Sequence, residues 1–92
     1  MKPFYVYLLR CSDDSYYIGH TDDIEKRIAE HNHGSVSGYT KTRLPIIVLY
    51  TQDFMTRDEA LTAERQIKGW SRKKKEALIR GDWEMIKKLS NQ

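Results

Sequence analysis

Two charged residues stand where this sequence calls for apolar ones. Arg27 falls in the stripe Ile24, Arg27, Ile28, His31, at offsets of 0, 3, 4 and 7, the spacing that lines one face of a helix. Glu64 falls in a second such stripe, Ala60, Ala63, Glu64, Ile67. Burying an unpaired charge is costly, so each must be paired, hydrated in a cleft, or bound to a ligand. One reading pairs the two as a core ion pair. The other places them in a cleft where the arginine holds a phosphate and the carboxylate holds a metal. The second reading suits phosphodiester hydrolysis. Arginine offers a rigid bidentate fork for phosphate and keeps its charge at working pH. A single glutamate is enough to anchor Mg²⁺, which keeps most of its waters and takes phosphate oxygens as ligands. A tyrosine, with an unperturbed pKa of about 10, needs help to act as a base. His20, three residues after Tyr17, is placed to give that help.

The elements that must position these groups are legible in order. Phe4 to Leu9 reads as a strand, with Phe4, Val6 and Leu8 on one face and Tyr5, Tyr7 and Leu9 on the other. Ser12-Asp13-Asp14-Ser15 is turn chemistry, and Tyr16 to His20 returns as a second strand. A register centred on residue 13 puts Tyr7 and Tyr17 on one face, diagonally adjacent. Gly19 near the strand end signals a close backbone approach. A helix follows to about Asn32, capped by Asp22, with capping-box spacing to Glu25, or by Thr21; Gly34 stops it. It sets Arg27 and His31 on the core-facing side, next to the tyrosine hairpin. Residues 33–44 read as a mobile loop, Pro45 as the opening of a third strand through Tyr50, and Thr56-Arg57-Asp58-Glu59 as a capping box that starts the second helix. Gly69 ends that helix, Ser71 caps a third through about Ile79, and a last one turns Trp83, Ile86 and Leu89 inward. The order β-β-α-β-α-α, with a further short helix, predicts a small α+β domain: a three-stranded antiparallel sheet with flanking helices.

Bulk composition limits the classes available. At 92 residues the chain is expected to form one domain, residues 1–92. With 39% hydrophobic and 32% charged residues it reads as globular rather than disordered. No apolar run approaches the roughly 20 residues of a membrane helix, so no membrane partner is expected, and the absence of a signal-peptide core predicts a cytoplasmic location. Cys11 is the single cysteine, which excludes an internal disulfide and a thiolate zinc cluster. A formal charge of +3 and a pI near 9.0 are mild, so the distribution of charge matters more than its total.

The order of the chemistry-bearing residues is the specific signal. Tyr5-Val6-Tyr7, then Tyr17-Ile18-Gly19, then Arg27 with His31, and Glu64 downstream, resembles the GIY-YIG endonuclease family, over nearly the whole chain, and within it the small stand-alone single-domain proteins of bacteria. The resemblance implies a one-metal cut of DNA, with Mg²⁺ or Mn²⁺ as cofactor. On it, Tyr7 and Tyr17 match the two motif tyrosines, one of them the base or a nucleophile. Arg27 matches the phosphate-binding arginine and Glu64 the metal ligand. His31 falls where relatives carry His or Tyr, and His20 where some carry a lysine beside the base. The first-motif glycine is Tyr5 here, and no asparagine occurs between Asn32 and Asn91, whereas several relatives carry a late one near the site.

The basic run Arg72-Lys73-Lys74-Lys75 sits in the first turn of a helix pattern, where cations oppose the macrodipole. Set beside Trp70, it reads either as a solvated face or as a contact to the phosphate backbone, with Lys41 and Arg43 adding to the same surface. Binding of that kind is salt-sensitive and largely non-specific. The leading expectation is a metal-dependent endonuclease acting on structured or damaged DNA, in repair or recombination. The alternative is a nucleic-acid-binding module that keeps the fold without the chemistry, working with a protein partner that supplies specificity.

Overall fold

The fold is given by a computed structural model, which describes residues 2–36 and 38–90. Three strands, β1 (Phe4–Arg10), β2 (Tyr16–Thr21) and β3 (Ile47–Phe54), form one antiparallel sheet in the order β2-β1-β3. The hairpin register is the expected one: Tyr7 faces Gly19 and Leu9 faces Tyr17. β3 is longer than the sequence pattern suggests and starts two residues after Pro45, which follows a cis peptide bond. Its pairing with β1 skips Leu49, between Leu8–Tyr50 and Leu9–Val48, a bulge of the kind edge strands tolerate.

Because β1 is the central strand, it is covered on both sides. Val6, Tyr7, Leu8 and Leu9 are all 1% exposed or less. One face carries Val6, Leu8 and Ile18 against Ala60 and Ile67 of α3 (Arg57–Lys68), Ala77 and Leu78 of α4 (Arg72–Arg80) and Ile86 of α5 (Trp83–Ser90). The opposite face carries Tyr7, Leu9 and Cys11 with Ile46, Tyr17, Leu44, and Ile24 and Ile28 of α1 (Ile24–Asn32). The alternation of β1 therefore feeds two apolar clusters, one under α1 and one under α3 to α5.

Local signals explain where the helices start. Thr56 and Glu59 form the full capping box that opens α3, and the Ser71 side chain accepts from Lys74 N to open α4. The start of α1 corrects the sequence reading. Its N-cap is Asp23, whose carboxylate accepts from Lys26 N, while the Thr21 hydroxyl braces Asp23 through its backbone N and O. Asp22 is exposed and plays neither part, because the chain leaves β2 one residue later than the capping-box spacing assumed. The stretch 33–44 also departs from a plain loop: it contains a single helical turn, α2 (Gly38–Lys41), with Thr40 fully buried. Trp83 does not face inward. It is 59% exposed, because α5 rests chiefly on α4 rather than on the sheet, and Ile86 fills its narrow buried strip. Cys11 is buried at the end of β1, and desolvation pushes its thiol pKa up, which makes it unreactive.

Candidate active site

The sequence-predicted residues gather on both faces of the edge strand β2. On the α1 face the Tyr7 and Tyr17 rings lie 6.4 Å apart between centroids. His31 stands edge-on to both, at 5.6 Å from Tyr7 and 5.1 Å from Tyr17. The Tyr7 hydroxyl and His31 Nε2 are 2.9 Å apart, and His31 Nδ1 is 2.9 Å from Thr40 Oγ1. Burial, then the charge of Tyr17, push the Tyr7 pKa up to about 12, against the pull of Arg27. Burial, then Arg27, hold the His31 pKa below the usual imidazole range. At neutral pH this pair is a phenol and a neutral imidazole.

Gly19 explains how Tyr7 reaches β2. A methyl group built on Gly19 would lie 2.6 Å from Tyr7 Cζ and 3.0 Å from Cε2, and closer still to the hydroxyl. The tyrosine ring therefore lies directly over the bare backbone of its cross-strand partner. The next residue, His20, has the opposite parity and points to the other face, where its Nδ1 is 2.8 Å from Glu64 Oε1. A carboxylate oxygen accepts, so His20 Nδ1 is the donor of this bond and Nε2 takes no part in it. Glu64 is 8% exposed, and its other oxygen is 3.2 Å from Lys68 Nζ, one turn on. The Glu64 charge adds a last, small part to the upward push on the Tyr7 pKa.

Arg27 and Glu64 are not paired with each other. Arg27 Nε stands 3.3 Å from Glu30 Oε1, yet this nitrogen is buried and makes no hydrogen bond; the contact has an ion pair's distance without its alignment. His20 and His31 lie on opposite faces of the sheet, so they do not converge. Among the described residues no three His, Cys, Asp or Glu side chains gather around a common point. Glu64 is the carboxylate at this site, and both its oxygens are engaged, by His20 and by Lys68. The Lys68 side chain is 54% exposed.

The basic residues are less free than the sequence suggested. Arg43 binds Asp13 at 3.0 Å, donates to the Tyr39 carbonyl at 2.9 Å, and lies 3.9 Å over the Tyr39 ring. Tyr39 in turn stacks on Tyr17 at 6.1 Å. Arg72 lies 4.1 Å over Tyr16 and 3.6 Å from Glu76, and Lys74 lies 4.3 Å over Trp70. These contacts offset the unfavourable placing of cations at a helix start. Lys41 and Lys73 are exposed and Lys75 is half-buried. Arginine thus flanks the start of β2 on both faces, through Tyr16 and through Tyr17. Sequence reasoning missed Thr40, Tyr39 and Lys68. Lys68 was recoverable, since Glu64 precedes it by four residues on a helix; a buried threonine in a Gly/Ser/Thr-rich segment gives no signal.

A strand-paired tyrosine couple, an arginine on the following helix and a distant glutamate across the edge strand define the catalytic domain of a nuclease family. The family model of the GIY-YIG catalytic domain matches residues 3–77, and the chain belongs to that family. A UPF0213 protein of Staphylococcus saprophyticus is 47% identical over 79 residues, 86% of this chain and 96% of its own. A UPF0213 protein of Listeria monocytogenes is 49% identical over 75 residues, 82% of this chain and 84% of its own. Two solution NMR structures share the fold at 40% identity. A protein of E. faecalis gives a TM-score of 0.61 over 88% of this chain and 86% of its own. The UPF0213 protein of Bacillus halodurans gives 0.56 over 85% and 83%.

Proposed function

We propose that this protein is a divalent-metal-dependent endonuclease that hydrolyses DNA phosphodiester bonds, acting as one domain over residues 1–92 in the cytoplasm. Its substrates would be the structured or damaged DNA met in repair and recombination. The observation that carries this reading is the separation of Arg27 from Glu64: each sits on a core-facing stripe, and neither neutralises the other. The Arg27 side chain is 35% exposed and its Nε makes no hydrogen bond, and a guanidinium offers the rigid fork that suits phosphate. Glu64 would hold Mg²⁺ or Mn²⁺, which when bound supplies positive charge against the phosphate and leaving oxygens. Tyr17, half-buried, is the tyrosine that water can reach, and His20 assists it through the nitrogen not committed to Glu64. Tyr7 remains a neutral phenol at working pH and orients the site with His31. Lys41, Arg43, Arg72, Lys73, Lys74 and Lys75 hold the DNA backbone without reading sequence, and a protein partner supplies specificity.

The test is incubation with branched, nicked and single-stranded DNA in Mg²⁺ or Mn²⁺. Cleavage is expected that falls at least about a hundredfold in Glu64→Ala and in Arg27→Ala, both folded. Cleavage that survives both substitutions overturns the reading. A second reading, a binding module without chemistry, is favoured by the engagement of both Glu64 oxygens and by the lack of an asparagine between Asn32 and Asn91. Salt-dependent DNA binding with no cutting under either metal would select it.

A further inference from the structure

Thr40 is a polar residue with no exposed surface, on a one-turn helix inside a polar segment. Such burial is stable only where the hydroxyl is used. Its Oγ1 meets His31 Nδ1 at 2.9 Å, and His31 Nε2 meets the Tyr7 hydroxyl at 2.9 Å. Three side chains from α2, α1 and β1, each 1% exposed or less, thus form one buried line of hydrogen bonds. A neutral imidazole carries a single N–H, so a hydroxyl that donates to one nitrogen requires the other nitrogen to donate to its own partner, and Thr40, His31 and Tyr7 take their roles together. Turning the ring over would set carbon atoms against both hydroxyls and break both bonds. The same turn of helix also sends Tyr39 against Tyr17, and Arg43 just beyond it ties the segment to the Asp13 turn.

We propose that Thr40 is a positioning residue: it locks His31 in one ring orientation and one tautomer, and through His31 holds the Tyr7 hydroxyl in place over β2. The lock stands on the geometry alone, and its consequence for cleavage rests on the nuclease reading above.

The lock is read by ¹⁵N NMR of histidine-labelled protein. In the wild type His31 is expected to show one protonated and one bare nitrogen. In Thr40→Val and Thr40→Ala the two signals are expected to move toward averaging or to exchange roles, and Thr40→Ser is expected to restore the wild-type pattern. Averaged His31 nitrogens in the wild type overturn the proposal whether or not the variants fold. So do wild-type signals in folded Thr40→Val and Thr40→Ala. In cleavage, kcat is expected to fall about tenfold or more in the two hydroxyl-deleting variants with KM little changed, as misplacement of a reacting group predicts. Unchanged kcat in those folded variants overturns the catalytic consequence. If the wild type cuts no DNA, the nuclease reading fails, and the NMR measurement still decides the lock.

Discussion

Replacing Gly19 with alanine separates two accounts of this residue by the sign of the effect. An ordinary glycine within a strand weakens it, so alanine would stabilise the protein by roughly 0.5–1 kcal/mol. Here the new methyl would sit 2.6 Å from Tyr7 Cζ and 3.0 Å from Cε2, and the ring must move by roughly 1 Å to restore ordinary contact distances. The ring is 1% exposed and tied to His31 at 2.9 Å, so such a move breaks that bond. Overpacking of this kind costs about 1–3 kcal/mol, and the stranded buried hydroxyl and imidazole add about 1–3 kcal/mol. Gly19→Ala is therefore expected to destabilise by about 2–6 kcal/mol, a large part of a typical total, and to abolish efficient cleavage. Urea denaturation of Gly19→Ala, Tyr7→Phe and the double variant gives the coupling between the sites. Removing the hydroxyl, the atom nearest the new methyl, is expected to recover part of the loss, so the effects should be non-additive. A Gly19→Ala protein as stable as the wild type, or an additive cycle, would refute the close approach.

Four further outcomes follow from the same geometry. His31 is held below its ordinary pKa of 6.5 by burial and Arg27, so the unfolded chain binds its proton first. Stability should then be full above pH 6.5 and fall as pH drops toward the folded pKa; His31→Gln should flatten this slope in denaturation at pH 7.5 and pH 5, and an unchanged slope would count against it. Tyr7 has the opposite sign: its pKa rises from 10.0 to about 12, so at most about 3 kcal/mol should be lost between those values. That loss should be absent in Tyr7→Phe, measured by denaturation across the range. Thr56→Ala, which removes the capping box of α3, should cost about 1 kcal/mol by urea midpoint. Lys73→Ala should reduce the salt slope of DNA binding by about one, measured by titration at several salt concentrations, while Glu64→Ala leaves that slope unchanged.

Features that depend on neighbours along the chain were legible before any packing. Thr56 and Glu59 announce α3 because a capping box closes within four residues, and Ser71 announces α4 as a side-chain cap that accepts from Lys74 N. The parity of Tyr7 and Tyr17, and the turn centred on residue 13, determined that both rings share one face. Gly19 was legible as a close approach, though not as the floor under Tyr7. The local rules failed at Asp23, where the exit of the chain from β2 displaced the cap by one residue, and at Trp83, where α5 had too little neighbouring surface to cover it. Which charges meet was set by packing. Arg27 and Glu64 looked alike in their stripes, but α1 and α3 cover opposite faces of the sheet. Glu64 thereby meets His20 and Lys68 rather than Arg27. Thr40 was silent for the same reason: its role depends on a histidine nine residues away, and no periodicity of helix or strand encodes that contact. Spacing along the chain sets the face of an element, and only packing sets what that face looks at.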